Sequence, residues 1–233
     1  KNITSLILVG FMGSLLPALF FALAQTKLPS ALTGIMNALT PFFTIIISVL
    51  FFNVKPDKRV YFGVTLGFLG TLFLISTREN GQLSFNYYAF FVVAATVLYG
   101  INANLIKHYL GGLKSLSIAS LSLIMVGPLA VIYLFLFTPF LDHINEPKVL
   151  MASGYIVILG VLGTALALIL FNKMVQLTNA VFSTSVTYVI PIISVFWGFI
   201  DGEKLSLIQL ASMLTIMLGI FISNSKKVIK KLG

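Results

Sequence analysis

The sequence predicts an all-α membrane protein, a polytopic bundle in which eight helices cross the bilayer. Hydrophobic residues make up 58% of the 233 residues, and charged residues only 9%. The apolar residues fall in long runs and do not alternate with polar residues as they do in the core of a soluble protein. Each run approaches the roughly 20 residues that a helix needs to cross the hydrocarbon core.

The eight predicted spans follow one another with short connections. They cover residues 4–24, 31–53, 60–77, 87–106, 117–138, 150–171, 180–200 and 206–223. The connections hold the Pro, Gly, Asn and Asp residues that mark turns, and none is long enough for a separate soluble domain. The first run is a full span and the chain opens on Lys1, so we expect no cleavable signal and interpret the chain as a fragment.

Basic residues predict the orientation, because Lys and Arg near the ends of spans favour the cytoplasmic side. Lys27, Arg78, Lys148 and Lys204 lie outside if the N-terminus is inside, together with five of the six acids. The other basic residues are then cytoplasmic: Lys1, Lys55, Lys58, Arg59, Lys107, Lys114, Lys173, Lys226, Lys227, Lys230 and Lys231. We therefore predict a multi-pass protein of the cell (inner or plasma) membrane, with both termini of this chain cytoplasmic.

The net charge of +9 raises the question of a nucleic-acid partner. The charges are confined to short loops and one tail, and they form no soluble basic face, so we predict no nucleic-acid binding. The basic tail at residues 226–231 is interpreted as a topology anchor, with lipid or partner binding as the alternative. The predicted surroundings are the lipid bilayer.

The composition also argues against an enzyme. The absence of Cys removes disulfides, thiolate catalysis and Cys-ligated metals together. His108 and His143 lie on opposite predicted sides of the membrane, and no ionisable Asp, Glu, Lys, Arg or His lies in the middle of a span. We therefore predict no catalysis, no metal and no cofactor, and we disfavour a strongly charged substrate. Proton coupling stays open, because helices upstream of Lys1 could still supply a buried acid.

Two of the predicted spans contain a proline among polar residues. Pro41 lies in the second span and Pro191 in the seventh. A proline cannot bond the carbonyl four residues back, so the Asn37 and Thr187 carbonyls lose their usual partner. In a bilayer such groups must face protein, water or a ligand.

The two prolines belong to an internal repeat with an offset of 150 residues. Gly10, Gly13, Leu16, Phe21 and Pro41 fall at this offset on Gly160, Gly163, Leu166, Phe171 and Pro191. Five spans separate equivalent helices, so the copies cross the membrane in opposite directions, a plan common among secondary transporters. The first copy covers residues 1–85 with three spans, and the second covers residues 86–233 with five. A ten-helix plan of five plus five therefore predicts two further spans, about 65 residues, upstream of Lys1.

The segments that lead into the two prolines share a pattern. Residues 22–41 read ALAQTKLPSALTGIMNALTP, residues 177–191 read LTNAVFSTSVTYVIP, and a Leu-Gly pair follows each at Gly70 and Gly219. These segments resemble the EamA-type repeat of the drug/metabolite transporter superfamily. The second copy holds the Gly-Glu turn of that family at residues 202–203, whereas the first copy lacks it. The resemblance implies a ten-span exporter or importer of amino acids, metabolites and related solutes.

Ten residues form the predicted substrate site. They are Asn37, Thr40, Pro41 and Thr44 on the first broken helix, Thr187, Tyr188, Pro191 and Ser194 on its partner, and Tyr99 and Asn102 on the fourth span. The polar positions recur every three or four residues, which places them on one stripe of each broken helix. Alternatively, such hydroxyls only join helices, an interpretation that we favour for Thr33, Ser48 and Thr184 near the span ends.

Together these features predict a secondary transporter, and more specifically an exporter, of small neutral or zwitterionic metabolites such as amino acids. The small-molecule substrate would bind in a central cavity between the copies and cross by alternating access. One alternative is efflux of hydrophobic drugs or cations. Another is a non-transporting membrane scaffold or sensor. A homodimer is also left open.

Overall fold

The chain is helical throughout the part that the computed structural model describes, which comprises residues 2–55, 58–75, 86–184, 186–187, 190–202 and 206–224. No strand occurs within these ranges, so the predicted all-helical class is confirmed. The helices are α1 (Asn2–Gly10), α2 (Leu16–Gln25), α3 (Ser30–Asn37), α4 (Thr40–Phe52), α5 (Lys58–Ile75), α6 (Ala89–Tyr109), α7 (Ser115–Phe137), α8 (Phe140–His143), α9 (Pro147–Ile158), α10 (Ala167–Leu177), α11 (Ala180–Thr184), α12 (Ile190–Ile200) and α13 (Leu207–Asn224).

Five of the described helical stretches are long and apolar enough to cross a membrane. They are Ile3–Gln25, Ser30–Phe52, Ala89–Tyr109, Ser115–Phe137 and Pro147–Leu177. Each coincides with a predicted span, as expected for a polytopic membrane protein. The other three predicted spans correspond to α5, to α11 with α12, and to α13, which are not among these five. The count of eight spans therefore stays a prediction.

The two spans that contain a proline are each divided into half-helices. Between α3 and α4 the backbone tightens, because Ala38 N–H donates to Ile35 O (3.1 Å) and Leu39 N–H donates to Met36 O (3.0 Å). These bonds reach back three residues, which is the pattern of a 3₁₀ turn. In the second copy α11 and α12 are likewise separate helices, and Pro191 is the second residue of α12. Pro41 and Pro191 therefore each occupy the second position of the helix that contains them.

Two π-helical segments occur at equivalent positions of the two copies. The first, π1 (Phe11–Leu15), joins α1 to α2, and the second, π2 (Leu159–Leu166), joins α9 to α10. An offset of 150 residues carries π1 onto residues 161–165, which lie inside π2. A π-helical turn inserts one extra residue and loosens the regular ladder of backbone hydrogen bonds. The division of the chain into two copies stays a prediction.

Two buried apolar clusters lie at opposite ends of the bundle. The Val175 cluster consists of Leu6, Val9, Ile106, Leu110, Ile118 and Val175. The Met36 cluster consists of Ala24, Leu28, Leu32, Ile35, Met36, Ala38, Leu74, Ala89, Val92 and Ile216. Helix α6 contributes Ile106 to the first cluster and Val92 to the second, and the intervening helix spans about 20 Å. Since α1 begins and α6 ends at the Val175 cluster, these helices run antiparallel.

Basic residues gather at the end of the bundle that holds the Val175 cluster. Phe52 at the end of α4 stacks on His108 at the end of α6, with ring centroids 4.1 Å apart. This contact brings the start of α5 to the same end as the last turns of α6 and α10. The basic residues on or next to these segments and at the start of α7 are Lys55, Lys58, Arg59, Lys107, Lys114 and Lys173. The predicted orientation places all of them in the cytoplasm, and the side of the membrane on which they lie stays a prediction.

Helices α5 and α13 form a close antiparallel pair. A Cβ placed on Gly219 would lie 2.5 Å from both Gly63 O and Gly67 N, so the two backbones touch. Small residues permit this approach between helices in a membrane. A groove of about 360 Å³ runs along the pair and contains none of the predicted site residues; its lining is Gly70, Phe73, Leu207, Ile208, Ala211, Ser212 and Thr215.

Candidate functional site

The two broken helices cross each other at their interruptions. Helix α3 packs against α12, and α11 packs against α4, so each half-helix contacts the opposite half of its partner. A Cβ placed on Gly34 would lie 1.7 Å from Ser194 Oγ and 2.4 Å from Ser194 Cβ. The crossing is therefore reciprocal, as an inverted repeat requires, and at this point it is tightly closed.

The Asn37 carbonyl, which Pro41 deprives of its backbone partner, is bonded by a side chain instead. Thr40 Oγ1 donates to Asn37 O at 2.9 Å and lies 3.2 Å from Asn37 Oδ1. Thr40 and Pro41 are buried, whereas Asn37 keeps part of its surface exposed. The first break is thus satisfied by its own polar residues, as buried backbone groups in a membrane must be.

Hydroxyl groups along both broken helices bond carbonyls one turn back. Thr33 Oγ1 and Thr184 Oγ1 each donate at 3.0 Å to the carbonyl four residues earlier. Ser48 and Thr44 do the same at 2.8 Å, and the Thr44 side chain is fully buried. For Thr33, Ser48 and Thr184 this agrees with the interpretation that they stabilise helices. Thr44 of the predicted site is held in the same way in this structure.

Asn104 joins α6 to α4 and was not among the predicted site residues. Its Nδ2 donates to Thr44 O (3.1 Å) and Gly100 O (3.0 Å), and its Oδ1 lies 2.7 Å from Ser48 Oγ, whose one proton is shared between Asn104 Oδ1 and Thr44 O. Asn104 is fully buried. The sequence did contain a signal for Asn104, because an amide inside an apolar span is costly unless it has hydrogen-bond partners. Its partners on α4 are far away in sequence and only the fold brings them close.

Tyr99 and Asn102 of the predicted site face the first span. The Tyr99 ring stacks on Phe21 with centroids 6.1 Å apart. Asn102 is 3% exposed and packs against Gly13 in π1, where a Cβ would lie 2.7 Å from Asn102 Nδ2. Within the described ranges, Asn102 Oδ1 and Asn172 Oδ1 are the two buried side-chain atoms without a hydrogen-bond partner. A buried acceptor without a donor is costly, which sets Asn102 Oδ1 apart from the hydrogen-bonded amide of Asn104.

The second broken helix carries four predicted site residues, of which Tyr188 lies outside the described residues. Thr187 Oγ1 donates to Thr184 O at 2.7 Å and the residue is partly exposed. Pro191 is buried, and Ser194 is partly exposed at the crossing. Asn37, Thr187 and Ser194 therefore lie at the margin of the packed region, in contrast to the buried Thr40 and Thr44.

Comparison with protein families decides the class of the molecule. A model of the EamA-like transporter family matches residues 1–76 and 86–225. The chain belongs to the EamA-like transporter family. It is accordingly a multi-pass membrane transporter of the drug/metabolite transporter superfamily, and that family is one of transporters and not of enzymes. None of the curated proteins compared with the chain matches it.

In this EamA-like transporter, the helices that carry the described site residues form one packed group. Helix α4 packs on α6 and α11, and α3 packs on α6 and α12. Among the described residues no group of three metal-binding side chains lies together. The arrangement therefore offers hydroxyl groups, amides and helix ends to a solute. Which of these residues contact a solute stays a prediction.

Proposed function

We propose that this EamA-like transporter exports small neutral or zwitterionic metabolites, such as amino acids, by alternating access. The observation that carries the proposal is the reciprocal crossing of α3–α4 with α11–α12. Two discontinuous helices that meet inside a bundle are a common way to build a solute site in secondary transporters, because their ends present unpaired backbone groups.

The groups at the crossing suit a molecule that carries both signs of charge. In this proposal the first turns of α4, which begins at Thr40, and of α12, which is described from Ile190, face the solute. The N-terminus of a helix is the positive end of its dipole and favours a carboxylate. On α6, beside Gly13 of the first span, Asn102 Oδ1 is a buried acceptor without a hydrogen-bond partner, and in this proposal it serves an ammonium or hydroxyl group. The described residues at the crossing include no Asp, Glu, Lys or Arg, so a solute with a large net charge would find no counter-ion.

Passage of a solute requires the crossing to open. In this structure Gly34 and Ser194 are in contact, which leaves no room between the half-helices at that point. The breaks allow each half-helix to move without distorting a continuous helix, and π1 and π2 provide further irregular positions. We therefore place the alternating movement at the breaks.

The proposal is tested by transport in proteoliposomes. Wild-type chain is compared with the double variant Asn37→Leu, Thr187→Val across a panel of labelled amino acids, other neutral metabolites, and hydrophobic cations. We expect exchange of at least one neutral or zwitterionic solute, and a loss of about tenfold or more in the double variant, because each change removes a hydrogen-bonding group. The matched control is Thr65→Val, which removes an exposed hydroxyl that bonds only its own helix.

Two results would contradict the proposal. One is an absence of transport for every solute in the panel. The other is transport of a neutral solute at the wild-type rate by the double variant, which would move the solute site away from the crossing. Transport of hydrophobic cations alone would favour the efflux alternative.

A further inference from the structure

A polar contact at the Val175 end joins α6 to the turn between α10 and α11. Lys107 Nζ donates to Gln176 O at 3.2 Å and also to Thr178 O. These carbonyls belong to the last turn of α10, where a helix leaves its carbonyls without backbone partners. A cation there also interacts favourably with the negative end of the helix dipole.

The contact is reciprocal. Gln176 Nε2 donates to Leu110 O at 3.2 Å and to Leu113 O at 2.6 Å, which lie just beyond the end of α6. Each helix end therefore supplies a side-chain donor to carbonyls at or just beyond the end of the other, where Leu110 O also accepts from Leu113 N–H. Thr178 Oγ1 lies 3.0 Å from Ser183 Oγ and extends the contact to α11.

This contact differs in kind from the other attachments of α6. Asn104 ties α6 to α4 and Asn102 packs against Gly13 of π1, and both amides are buried among helices. Lys107 and Gln176 are only partly buried and lie at the end of the bundle. Water can replace their hydrogen bonds when the helix ends separate, whereas a buried amide has no such substitute. Buried amides thus hold α6 to α4 and to π1, whereas water can replace the polar contact between α6 and the end of α10.

The polar contact covers a sealed apolar layer. Ile106, Leu110 and Val175 of the Val175 cluster are fully buried directly beside Lys107 and Gln176. We propose that Lys107 and Gln176 form a latch that holds the Val175 end closed and opens when a solute passes that end. The latch rests on the proposed transport function, and it assigns a gating role to residues that lie outside the solute site.

The latch is tested by measuring how fast a water-soluble maleimide reacts with a single introduced cysteine. The chain contains no Cys of its own, so the introduced thiol is the only one that can react. Ala103→Cys places a thiol at a fully buried position one turn deeper than Lys107. Ala24→Cys places a second thiol at a fully buried position at the opposite end. Each full chain is reconstituted in lipid nanodiscs, where both membrane faces meet a water-soluble maleimide, and the labelling rate is measured.

We expect Lys107→Met to speed labelling at position 103 by about tenfold, because a charged hydrogen bond that favours the closed state is lost. Labelling at position 24 should not rise. Lys107→Arg should stay close to the parent rate, and Lys173→Met, which removes an exposed cation on α10, is the matched control. Gln176→Leu removes the other half of the latch, so it should also raise the labelling rate at position 103. If Lys107→Met does not fold, the result for Gln176→Leu decides the test.

An unchanged rate at position 103 in Lys107→Met and in Gln176→Leu overturns the latch. An equal rise at positions 103 and 24 also overturns it, because that result indicates general loosening of the bundle. The labelling needs no solute, so the two proposals can fail separately. If the chain transports a solute and the labelling rates do not change, the latch alone is contradicted. If the labelling rates change as expected and the chain transports no solute, the proposed function is contradicted, and the contact of Lys107 with Gln176 still holds the Val175 end closed.

Discussion

At the scale of single residues, two buried amides on α6 differ in their hydrogen bonding. Asn104 makes three hydrogen bonds, to Ser48, to the Thr44 carbonyl and to the Gly100 carbonyl. Asn102 lies two positions earlier, and its Oδ1 makes none. A satisfied amide inside a membrane stabilises packing, while an unsatisfied one lowers stability and is retained for another reason. The hydrogen bonds of Asn104 indicate a structural residue, and the unpaired oxygen of Asn102 makes that residue a candidate for solute binding.

Asn104→Leu should lower the free energy of unfolding by about 1–2 kcal/mol, because it removes the amide that links α6 to α4. The free energy is measured from unfolding in a titration of mixed detergents. Gln25→Leu changes the same chemical group at an exposed position and should have a small effect. If the two variants lose equal stability, Asn104 does not make the described contacts in the membrane.

Asn102→Leu should behave in the opposite way. Because the amide oxygen has no partner, its replacement by an apolar side chain of similar size should leave the free energy of unfolding unchanged or raise it. Transport of the preferred solute should nevertheless fall by about tenfold, since the acceptor is lost. A variant that is strongly destabilised, or that transports normally, would show that Asn102 serves packing alone.

Residues whose effect is local could be predicted from the sequence. Residues whose hydrogen-bond partners are distant along the chain could not. Pro41 predicts its own break, because the loss of a backbone donor depends only on its position in the chain. Asn104 depends on Ser48, which is 56 residues away, and Lys107 depends on Gln176, which is 69 residues away. No periodicity within one helix contains these pairings. The free acceptor of Asn102 was likewise invisible, since a sequence shows that an amide is present but not what bonds it.

At the scale of elements, the crossing of the two broken helices depends on a small residue at one position. A Cβ on Gly34 would lie 1.7 Å from Ser194 Oγ, so any larger side chain must push α3 away from α12. Small residues at such points set how closely membrane helices approach. The repeat predicted that the two helices are equivalent, and only the fold gives the pair of residues at which they touch.

Gly34→Ala should lower the free energy of unfolding by about 1–3 kcal/mol through overpacking. Ser194→Gly removes both atoms that the new Cβ would meet, so the double variant should recover most of the lost stability. The measurement is again unfolding in mixed detergents. Gly154→Ala serves as the control because a Cβ there meets nothing within 4 Å. Absence of rescue by Ser194→Gly would mean that α3 and α12 do not touch at these residues.

At the scale of the whole molecule, the fold is an arrangement of antiparallel helices with a buried apolar cluster at each end. Helix α3 contributes Leu32, Ile35 and Met36 to the Met36 cluster, and α4 runs from there to the Val175 end, where Phe52 stacks on His108. The apolar runs predicted the membrane class, and the offset of 150 residues predicted the recurrence of the breaks. The π-helical segments were not predicted from the sequence, because no residue pattern in it marks the position of an extra residue in a helix.

The most direct test of the central claim asks whether a transported solute occupies the crossing. Single cysteines at Asn37 and Thr187 are labelled with a small maleimide in the otherwise Cys-free chain, with and without the solute that the proteoliposome assay identifies. We expect the solute to slow labelling at both positions and to leave labelling of an exposed Ser120→Cys control unchanged. The slowing should reach half of its full extent near the solute concentration that half-saturates transport. Equal labelling rates with and without solute, in variants that still transport it, would contradict a solute site at the crossing of the two broken helices.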